Sequence, residues 1–107
     1  MELNQYYIVL VNLDPTIGSE IKKTRPCVII SPNEMNRHLQ TIVLAPMTTN
    51  TKNYPTRVAV ELNSMKGMIV LDQIRTVDKS RILKTIGQLN STQIATCKAI
   101  IRETYVD

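Results

Sequence analysis

Short apolar runs, separated by polar turn residues, follow one another along most of the chain. They are rich in β-branched and aromatic side chains, which favour strands. In residues 57–62 apolar and polar positions alternate, so that Val58, Val60 and Leu62 share one face. The strands predicted in this way cover residues 6–13, 27–31, 41–45, 57–62, 68–71, 73–77 and 82–89. Several short strands at close spacing predict a small barrel or sandwich.

Two polar segments and one helical segment complete the pattern. Residues 16–24 and 47–55 are polar and predict exposed loops, and Pro46 is expected to end the strand before it. Either Asn90 or Ser91 provides a cap for a following helix. The helical spacing is carried by Ile94, Cys97, Ile101 and Tyr105. The fold class predicted from these patterns is mainly β, with one C-terminal helix that packs against the sheet.

The length of 107 residues predicts a single domain, residues 1–107, with one hydrophobic core. No apolar run approaches the roughly 18 residues of a membrane span. The first residues lack the basic region of a signal peptide. We therefore expect a cytoplasmic protein that does not associate with a membrane.

Cysteine and histidine are scarce, which limits the possible chemistry. The only histidine is His38 and the two cysteines, Cys27 and Cys97, lie far apart in the sequence, so no metal-ligand pattern is visible. Enzymes that need two histidines are excluded. A nucleophilic dyad of Cys27 and His38 is conceivable, but Cys27 stands in an apolar run and is expected to be a buried, inert thiol. His38 is expected in a surface loop.

The positive charge is concentrated in one part of the chain. The formal net charge is +4, and residues 20–60 hold six basic and two acidic side chains, while bases and acids balance in the rest. A local positive field favours a polyanion such as a nucleic acid. The alternative is a solvated surface that is merely basic, and charge alone does not decide between them.

Three blocks of sequence, which follow one another along the chain, together carry a resemblance to a known family. Residues 11–31 read VNLDPTIGSEIKKTRPCVIIS, residues 45–50 read APMTTN and precede Tyr54-Pro55, and residues 71–78 read LDQIRTVD. The chain closely resembles the MazF/PemK (Kid) family of bacterial toxins, whose members carry a strand, Asp-Pro, Gly-Ser-Glu and then Arg-Pro before an apolar strand. One departure is visible: Tyr6 and Tyr7 stand where the family usually has glycine and an acidic residue before the first strand.

The resemblance implies a fold, an activity and partners. The fold would be a small SH3-like β-barrel of the CcdB–PemK type, working as a homodimer. The activity would be that of an endoribonuclease that needs no metal or other cofactor and cuts single-stranded RNA, mainly mRNA, at short motifs. A cognate antitoxin would neutralise it by laying an acidic C-terminal segment into the RNA groove.

The chemistry of such a cut suits the residues in these blocks. The 2′-OH of RNA attacks the adjacent phosphorus and leaves a 2′,3′-cyclic phosphate and a 5′-OH end. Because negative charge grows on the phosphate oxygens, a guanidinium is a suitable stabilising group, and Arg25 matches the catalytic arginine of the family. Thr48 matches the family's hydroxyl residue and would donate to a phosphate oxygen, although a threonine in a loop often only caps a turn.

The general base remains open between two carboxylates. Asp72 aligns with a carboxylate implicated in some family members, and Glu20 lies in the same predicted loop region as Arg25. Each has a structural alternative, a hydrogen bond at a strand bend for Asp72 and an ion pair for Glu20. Among the aromatic residues Tyr54 is best placed to contact RNA. The residues expected to bind RNA are Ser19, Lys22, Lys23, Thr49, Lys52, Tyr54, Arg57 and Gln73.

Two other functions on the same scaffold are considered. CcdB-type toxins share the fold and poison DNA gyrase without cutting, but that branch lacks the blocks around Arg25 and Thr48. A degenerate member that only binds RNA or an antitoxin is the second alternative. The RNA motif that is cut depends on loop shapes and is not predicted.

Overall fold

The computed structural model describes residues 2–13, 24–50 and 54–106, and these residues form a curled antiparallel sheet with a C-terminal helix. The mainly β fold class is therefore confirmed. The α-helices are α1 (Asn33–His38) and α2 (Ser91–Ile101), and a π-helical turn, Arg102–Val106, follows α2. The strands are β1 (Tyr7–Asn12), β2 (Thr24–Ile29), β3 (Thr41–Thr48), β4 (Arg57–Leu62), β5 (Met65–Val70), β6 (Arg75–Asp78) and β7 (Ile82–Gln88).

The third strand is the centre of the sheet. The strand order is β4-β5-β3-β2-β1-β7, and β6 also pairs with β3. On one side β3 pairs with β2. On its other side β3 pairs with β6 through Leu44 and with β5 from Met47 onward. The two halves of the sheet therefore diverge along β3, which gives the sheet its curl.

Pro46 lies inside β3, so the prediction that it ends the strand is wrong. It falls between the last residue of β3 that pairs with β6 and the first that pairs with β5. A proline lacks the N–H donor, but at this point neither of those strands takes a ladder bond from β3. The strand therefore continues to Thr48, which the sequence pattern had assigned to a loop.

Three further elements differ from the predicted pattern. The strand β2 begins at Thr24, so Arg25 belongs to a strand rather than to the loop before it. A single 3-10 turn, Leu71–Gln73, separates β5 from β6. His38, expected in a loop, is the last residue of α1. This six-residue helix is too short to show a hydrophobic periodicity.

The buried side chains form one cluster on each face of the sheet, because successive residues of a strand point to opposite faces. The first cluster includes Val28 and Ala45 and is covered by α2 through Cys97. The second includes Cys27 and Leu44. The helix α2 begins with a complete capping box, in which Asn90 and Gln93 bond each other's backbone N–H groups.

The first strand is preceded by a tight turn with a tyrosine in a left-handed conformation. Tyr6 has φ 68°, and the N–H of Tyr7 donates to the carbonyl of Asn4 at 3.1 Å. Glycine is favoured in this conformation, and the resemblance places a glycine here. Tyr6 is tolerated because its ring is buried and its N–H donates to the carbonyl of Ile29 at 2.7 Å.

Neither α1 nor α2 has the length and apolar character that crossing a membrane requires.

Candidate active site

Arg25 and Thr48 lie side by side at one end of the sheet and line the same cavity, with a volume of about 320 Å³. The register explains why they meet. Cys27 lies opposite Pro46, and Arg25 and Thr48 each stand two residues further along their strands. Because side chains two apart share a face, the guanidinium and the hydroxyl project from the same side of neighbouring strands.

The Thr48 hydroxyl accepts one hydrogen bond within its own turn. The backbone N–H of Asn50 donates to Oγ1 at 3.2 Å. This bond caps the turn, which was the structural alternative considered for Thr48. It uses a lone pair of the oxygen, however, and leaves the hydroxyl proton available to a ligand in the cavity. The side chain therefore fills both roles, as a turn cap and as a candidate donor.

The cavity is positively charged. The residues that line it include the cations Arg25 and Lys66, and none of its described lining residues is acidic. Thr49 and Asn63 add polar groups. Both cations are exposed at the cavity. The site therefore suits an anion held between a guanidinium, an ammonium and one or two hydroxyls.

Lys66 and Asn63 are two site residues that the sequence analysis missed. Asn63 and Ser64 have φ values of 51° and 69° and form the two-residue turn between β4 and β5. Such a left-handed pair is the usual hairpin turn between twisted strands. The asparagine was the available signal, but the predicted strand began only at residue 68. Placing the strand start at Met65 brings Lys66 to the cavity.

The close approach of two backbones fixes one wall of the cavity. A Cβ atom at Gly67 would lie 2.8 Å from the carbonyl oxygen of Thr48. Thr48 pairs with Met68 across this contact. Only glycine therefore allows β5 to approach the end of β3 at this distance.

Asp72, Arg57 and Tyr54 form a second group, which does not line the cavity of Arg25. The hydroxyl of Thr56 donates to Asp72 Oδ1 at 2.9 Å. Arg57 Nε lies 4.0 Å from the same oxygen. The guanidinium carbon of Arg57 stands 4.6 Å from the centre of the Tyr54 ring. Gln73 follows Asp72 in the 3-10 turn and is exposed.

The structure thus brings the predicted site residues together in two groups. Arg25, Thr48 and Thr49 share the cavity, while Tyr54, Arg57 and Asp72 make the second group. The predicted site residues Ser19, Glu20, Lys22, Lys23 and Lys52 lie outside the described residues. Within residues 2–13, 24–50 and 54–106, no three metal-binding side chains of His, Cys, Asp or Glu are grouped so as to hold an ion.

Cys27 is buried below the cavity and has the properties of a core thiol. Its Sγ lies 3.6 Å from the carbonyl oxygen of Arg25, to which it donates. Burial raises the pKa of the Cys27 thiol to about 12, although the Arg25 and Arg75 guanidiniums act in the opposite direction. His38 is exposed, with Nε2 at 3.5 Å from the Glu34 carboxylate. The geometry therefore gives no support to a Cys27–His38 dyad.

The buried thiols predict a loss of stability in alkali. Burial also raises the pKa of Cys97, to about 11. An unfolded chain releases both thiol protons near pH 9, whereas the folded chain retains them, so unfolding is favoured as the pH rises from about 9 toward 11–12. We expect the free energy of unfolding to be unaffected by these groups below about pH 8 and to fall above pH 9.

Urea unfolding of the wild type and of Cys97→Ala at several pH values measures this effect. The fall in the free energy of unfolding between pH 8 and pH 10 should be larger in the wild type, by no more than about 1.4 kcal/mol per pH unit. Burial, and to a smaller extent the Cys97 thiolate, raise the pKa of Tyr6, so the difference between the two chains includes the effect of Cys97 on Tyr6. An equal fall in the free energy of unfolding of the two chains would contradict the assignment of this effect to the Cys97 thiol.

A larger cavity, of about 580 Å³, lies between the β4–β5 hairpin and Gln93 of α2. It shares Lys66 and Gly67 with the cavity of Arg25, but none of the predicted catalytic or RNA-binding residues lines it. Unlike the cavity of Arg25, it is lined by a carboxylate, Glu61, which opposes the binding of an anion. We therefore take the smaller cavity as the candidate active site.

Comparison with known proteins places this chain in a family. The family of PemK-like, MazF-like toxins of type II toxin–antitoxin systems matches residues 4–105. The chain belongs to this family. A curated relative, the endoribonuclease MazF of Staphylococcus saprophyticus, is 33% identical over 93 residues, which cover 81% of this chain and 78% of the relative.

Solved structures of this family have the same fold. The Mycobacterium tuberculosis toxin MazF-mt6 matches with a TM-score of 0.78 and 23% identity, covering 91% of this chain and 93% of the other. A MazE–MazF complex from Deinococcus radiodurans matches with a TM-score of 0.79 and 21% identity, covering 96% and 95%. At these identities the likeness concerns the fold, including the C-terminal helix.

Proposed function

We propose that this chain is an endoribonuclease toxin that cuts single-stranded RNA without a metal ion. The observation that carries the proposal is the joint position of Arg25 and Thr48 in one positively charged cavity. Family membership and the relative named endoribonuclease MazF support it. The whole chain, residues 1–107, is proposed to act as one domain.

The residues account for the chemistry in the following way. The RNA 2′-oxygen forms a bond to phosphorus while the bond from phosphorus to the 5′-oxygen breaks. Arg25 holds the non-bridging oxygens as their negative charge grows, and Thr48 donates a second hydrogen bond to them. A carboxylate takes the 2′-OH proton, the departing 5′-oxygen takes a proton from water, and the carboxylic acid returns its proton to the solvent. The general base is either Asp72 or Glu20, the two alternatives given in the sequence analysis.

The position of Asp72 bears on how many chains make the site. Asp72 is not among the residues that line the cavity of Arg25. If Asp72 is the base, a second copy of the chain is the natural source of the carboxylate. We therefore propose a homodimer whose RNA groove joins both groups of residues, with Lys66, Thr49 and Gln73 as additional RNA contacts. Light scattering that finds only a monomer at micromolar concentration would argue against this arrangement.

The positive charge of the cavity also determines what kind of antitoxin segment can bind there. A solved endoribonuclease from a mycobacterial species, 21% identical with a TM-score of 0.79, is in complex with its cognate antitoxin. A segment that blocks a cavity holding Arg25 and Lys66 needs negative charge. We propose that the cognate antitoxin occupies this cavity with an acidic C-terminal segment.

A cleavage assay in the presence of EDTA tests the proposed function. We expect the purified protein to cut a long single-stranded RNA at a short motif and to leave a 5′-OH end, which polynucleotide kinase labels without prior phosphatase treatment. The upstream (5′) product should carry a 2′,3′-cyclic phosphate at its 3′ end, as detected by mass spectrometry. Cleavage that requires Mg²⁺ would contradict the metal-independent chemistry. Inhibition of gyrase supercoiling without RNA cleavage would support the CcdB-like alternative instead.

A further inference from the structure

The side chain of Arg57, which the sequence suggested as a phosphate contact, is largely buried. It is only 15% exposed, and among the described residues its Nε is a buried donor without a hydrogen-bond partner. A side chain that grips phosphates needs its charged end at the surface. The contacts of Arg57 are instead with two other residues of the proposed site, Tyr54 and Asp72.

A turn at the start of β4 places Arg57 against the tyrosine ring. The N–H of Arg57 donates to the carbonyl of Tyr54 at 3.0 Å, and its guanidinium carbon lies 4.6 Å from the centre of the ring. Tyr54 is nevertheless 44% exposed. Since Arg57 covers one side of the ring, the exposed part is the rest of the ring surface. An aromatic ring held in this way is suited to stack with an unpaired base.

The Nε atom of the same guanidinium approaches the carboxylate of Asp72. Arg57 Nε stands 4.0 Å from Asp72 Oδ1, which also accepts the Thr56 hydroxyl at 2.9 Å. The Nε–H is about 1 Å too far for a hydrogen bond to this oxygen. A small shift of the guanidinium completes that bond and satisfies a buried donor.

The turn that carries Asp72 is held from the opposite side by the C-terminal segment. The Tyr105 hydroxyl donates to the carbonyl of Leu71 at 2.6 Å. The N–H of Leu71 donates to the carbonyl of Thr56 at 3.2 Å. The backbone before Asp72 is therefore fixed, so that the side chain of Arg57 is the adjustable part of the group.

We propose that Arg57 is a positioning residue that couples an RNA base stacked on Tyr54 to the orientation of the Asp72 carboxylate. The inference rests on the proposed function and extends it. In this proposal the ring of Tyr54 stacks on an unpaired nucleobase, and Asp72 acts on the same stretch of RNA. It also removes Arg57 from the residues that contact phosphate.

Two substitutions at one position separate positioning from a phosphate contact. Arg57→Lys keeps the charge but loses the planar group and Nε, and Arg57→Gln removes the charge. We expect both to lower kcat by about tenfold to a hundredfold, because a displaced reacting group costs this much. The slope of log Kd against log salt, measured with a 2′-O-methyl copy of an RNA that the wild type cuts, should not change.

A phosphate contact predicts the opposite pattern. Arg57→Lys would then be close to the wild type, and Arg57→Gln would reduce the salt slope by about 0.7. Arg37→Gln is the matched control, because Arg37 is an exposed arginine of α1 that pairs only with Glu34 among the described residues. Circular dichroism and urea unfolding establish that each variant is folded.

A double-mutant comparison tests the coupling itself. In the Asp72→Asn background, Arg57→Gln should cause little further loss of kcat, whereas independent roles would multiply the two losses. Multiplied losses, or a reduced salt slope, would overturn the inference and leave the nuclease function intact.

A binding experiment covers the case in which the wild type cuts no RNA. The proposed function then fails, and binding of a random-sequence 2′-O-methyl RNA dodecamer decides the inference. Tyr54→Leu, Arg57→Gln and the double variant should all weaken RNA binding by the same factor. The inference would be overturned if the effects of the two substitutions multiplied in the double variant, or if Tyr54→Leu had no effect.

Discussion

Replacing Arg25 with alanine is expected to lower the rate of RNA cleavage by about 10³-fold or more while the chain stays folded. Loss of one oriented donor to a developing charge costs about 10²–10³ in rate, and loss of a guanidinium that stabilises phosphoryl charge costs about 10³–10⁵. The residue is exposed near the start of β2, opposite Val11, so its removal leaves the buried clusters unchanged. Its effect should therefore appear in kcat and not in stability.

Initial rates on a single RNA, with circular dichroism and urea unfolding of each variant, measure this effect. Arg25→Lys should retain more activity than Arg25→Ala, because it keeps the charge but loses the planar fork. Arg37→Ala removes an equal charge from α1 and should cut at the wild-type rate. In cells, Arg25→Ala should relieve growth arrest and the exposed change Glu103→Ala should not. Wild-type cleavage by Arg25→Ala would remove this residue from the mechanism.

The second large effect is expected from a single methyl group at Gly67. The added Cβ would lie 2.8 Å from the backbone oxygen of Thr48, so β3 or β5 must move. Overpacking of this kind costs about 1–3 kcal/mol. Because the atom that must shift belongs to Thr48, we expect Gly67→Ala to lower both the free energy of unfolding and the rate of RNA cleavage.

Gly87→Ala is the matched control for this change. It adds the same methyl group to a strand, but the nearest atom is Cδ1 of Leu62 at 3.1 Å, the end of a flexible side chain. That side chain turns aside at little cost, so the urea midpoint should stay close to that of the wild type. Because Leu62 also lines the cavity of Arg25, the two substitutions are compared by their stability. Equal destabilisation by the two substitutions would show that the contact with Thr48 is unimportant.

Much of the fold was predictable because burial leaves a regular pattern. The alternation in β4, the β-branched run of β1 and the capped helix α2 are local features that the structure confirms. The path of β3 through Pro46 was not predictable, because it depends on where β6 and β5 begin to pair with that strand. That information lies in distant segments and not in the residues around the proline.

The candidate site was predictable only in part for a similar reason. The sequence blocks identified Arg25 and Thr48, and the register of β2 and β3 explains why these residues are neighbours. Lys66 was missed because its strand begins earlier than its apolar residues indicate. The burial of Arg57 was also missed, since a basic residue in a polar stretch gives no sign that a tyrosine and a carboxylate enclose it.

The pairing of the first strand with the last has a consequence for synthesis of the toxin. Residues of β1 are partnered by residues of β7, from Tyr7 with Gln88 to Val11 with Ile82. A nascent chain on the ribosome cannot complete this sheet until β7 has left the exit tunnel, and pairing between such distant segments is slow. The sheet is therefore complete only after residue 88 has left the tunnel, whereas the residues that line the cavity of Arg25 all lie between residues 24 and 67 and emerge earlier.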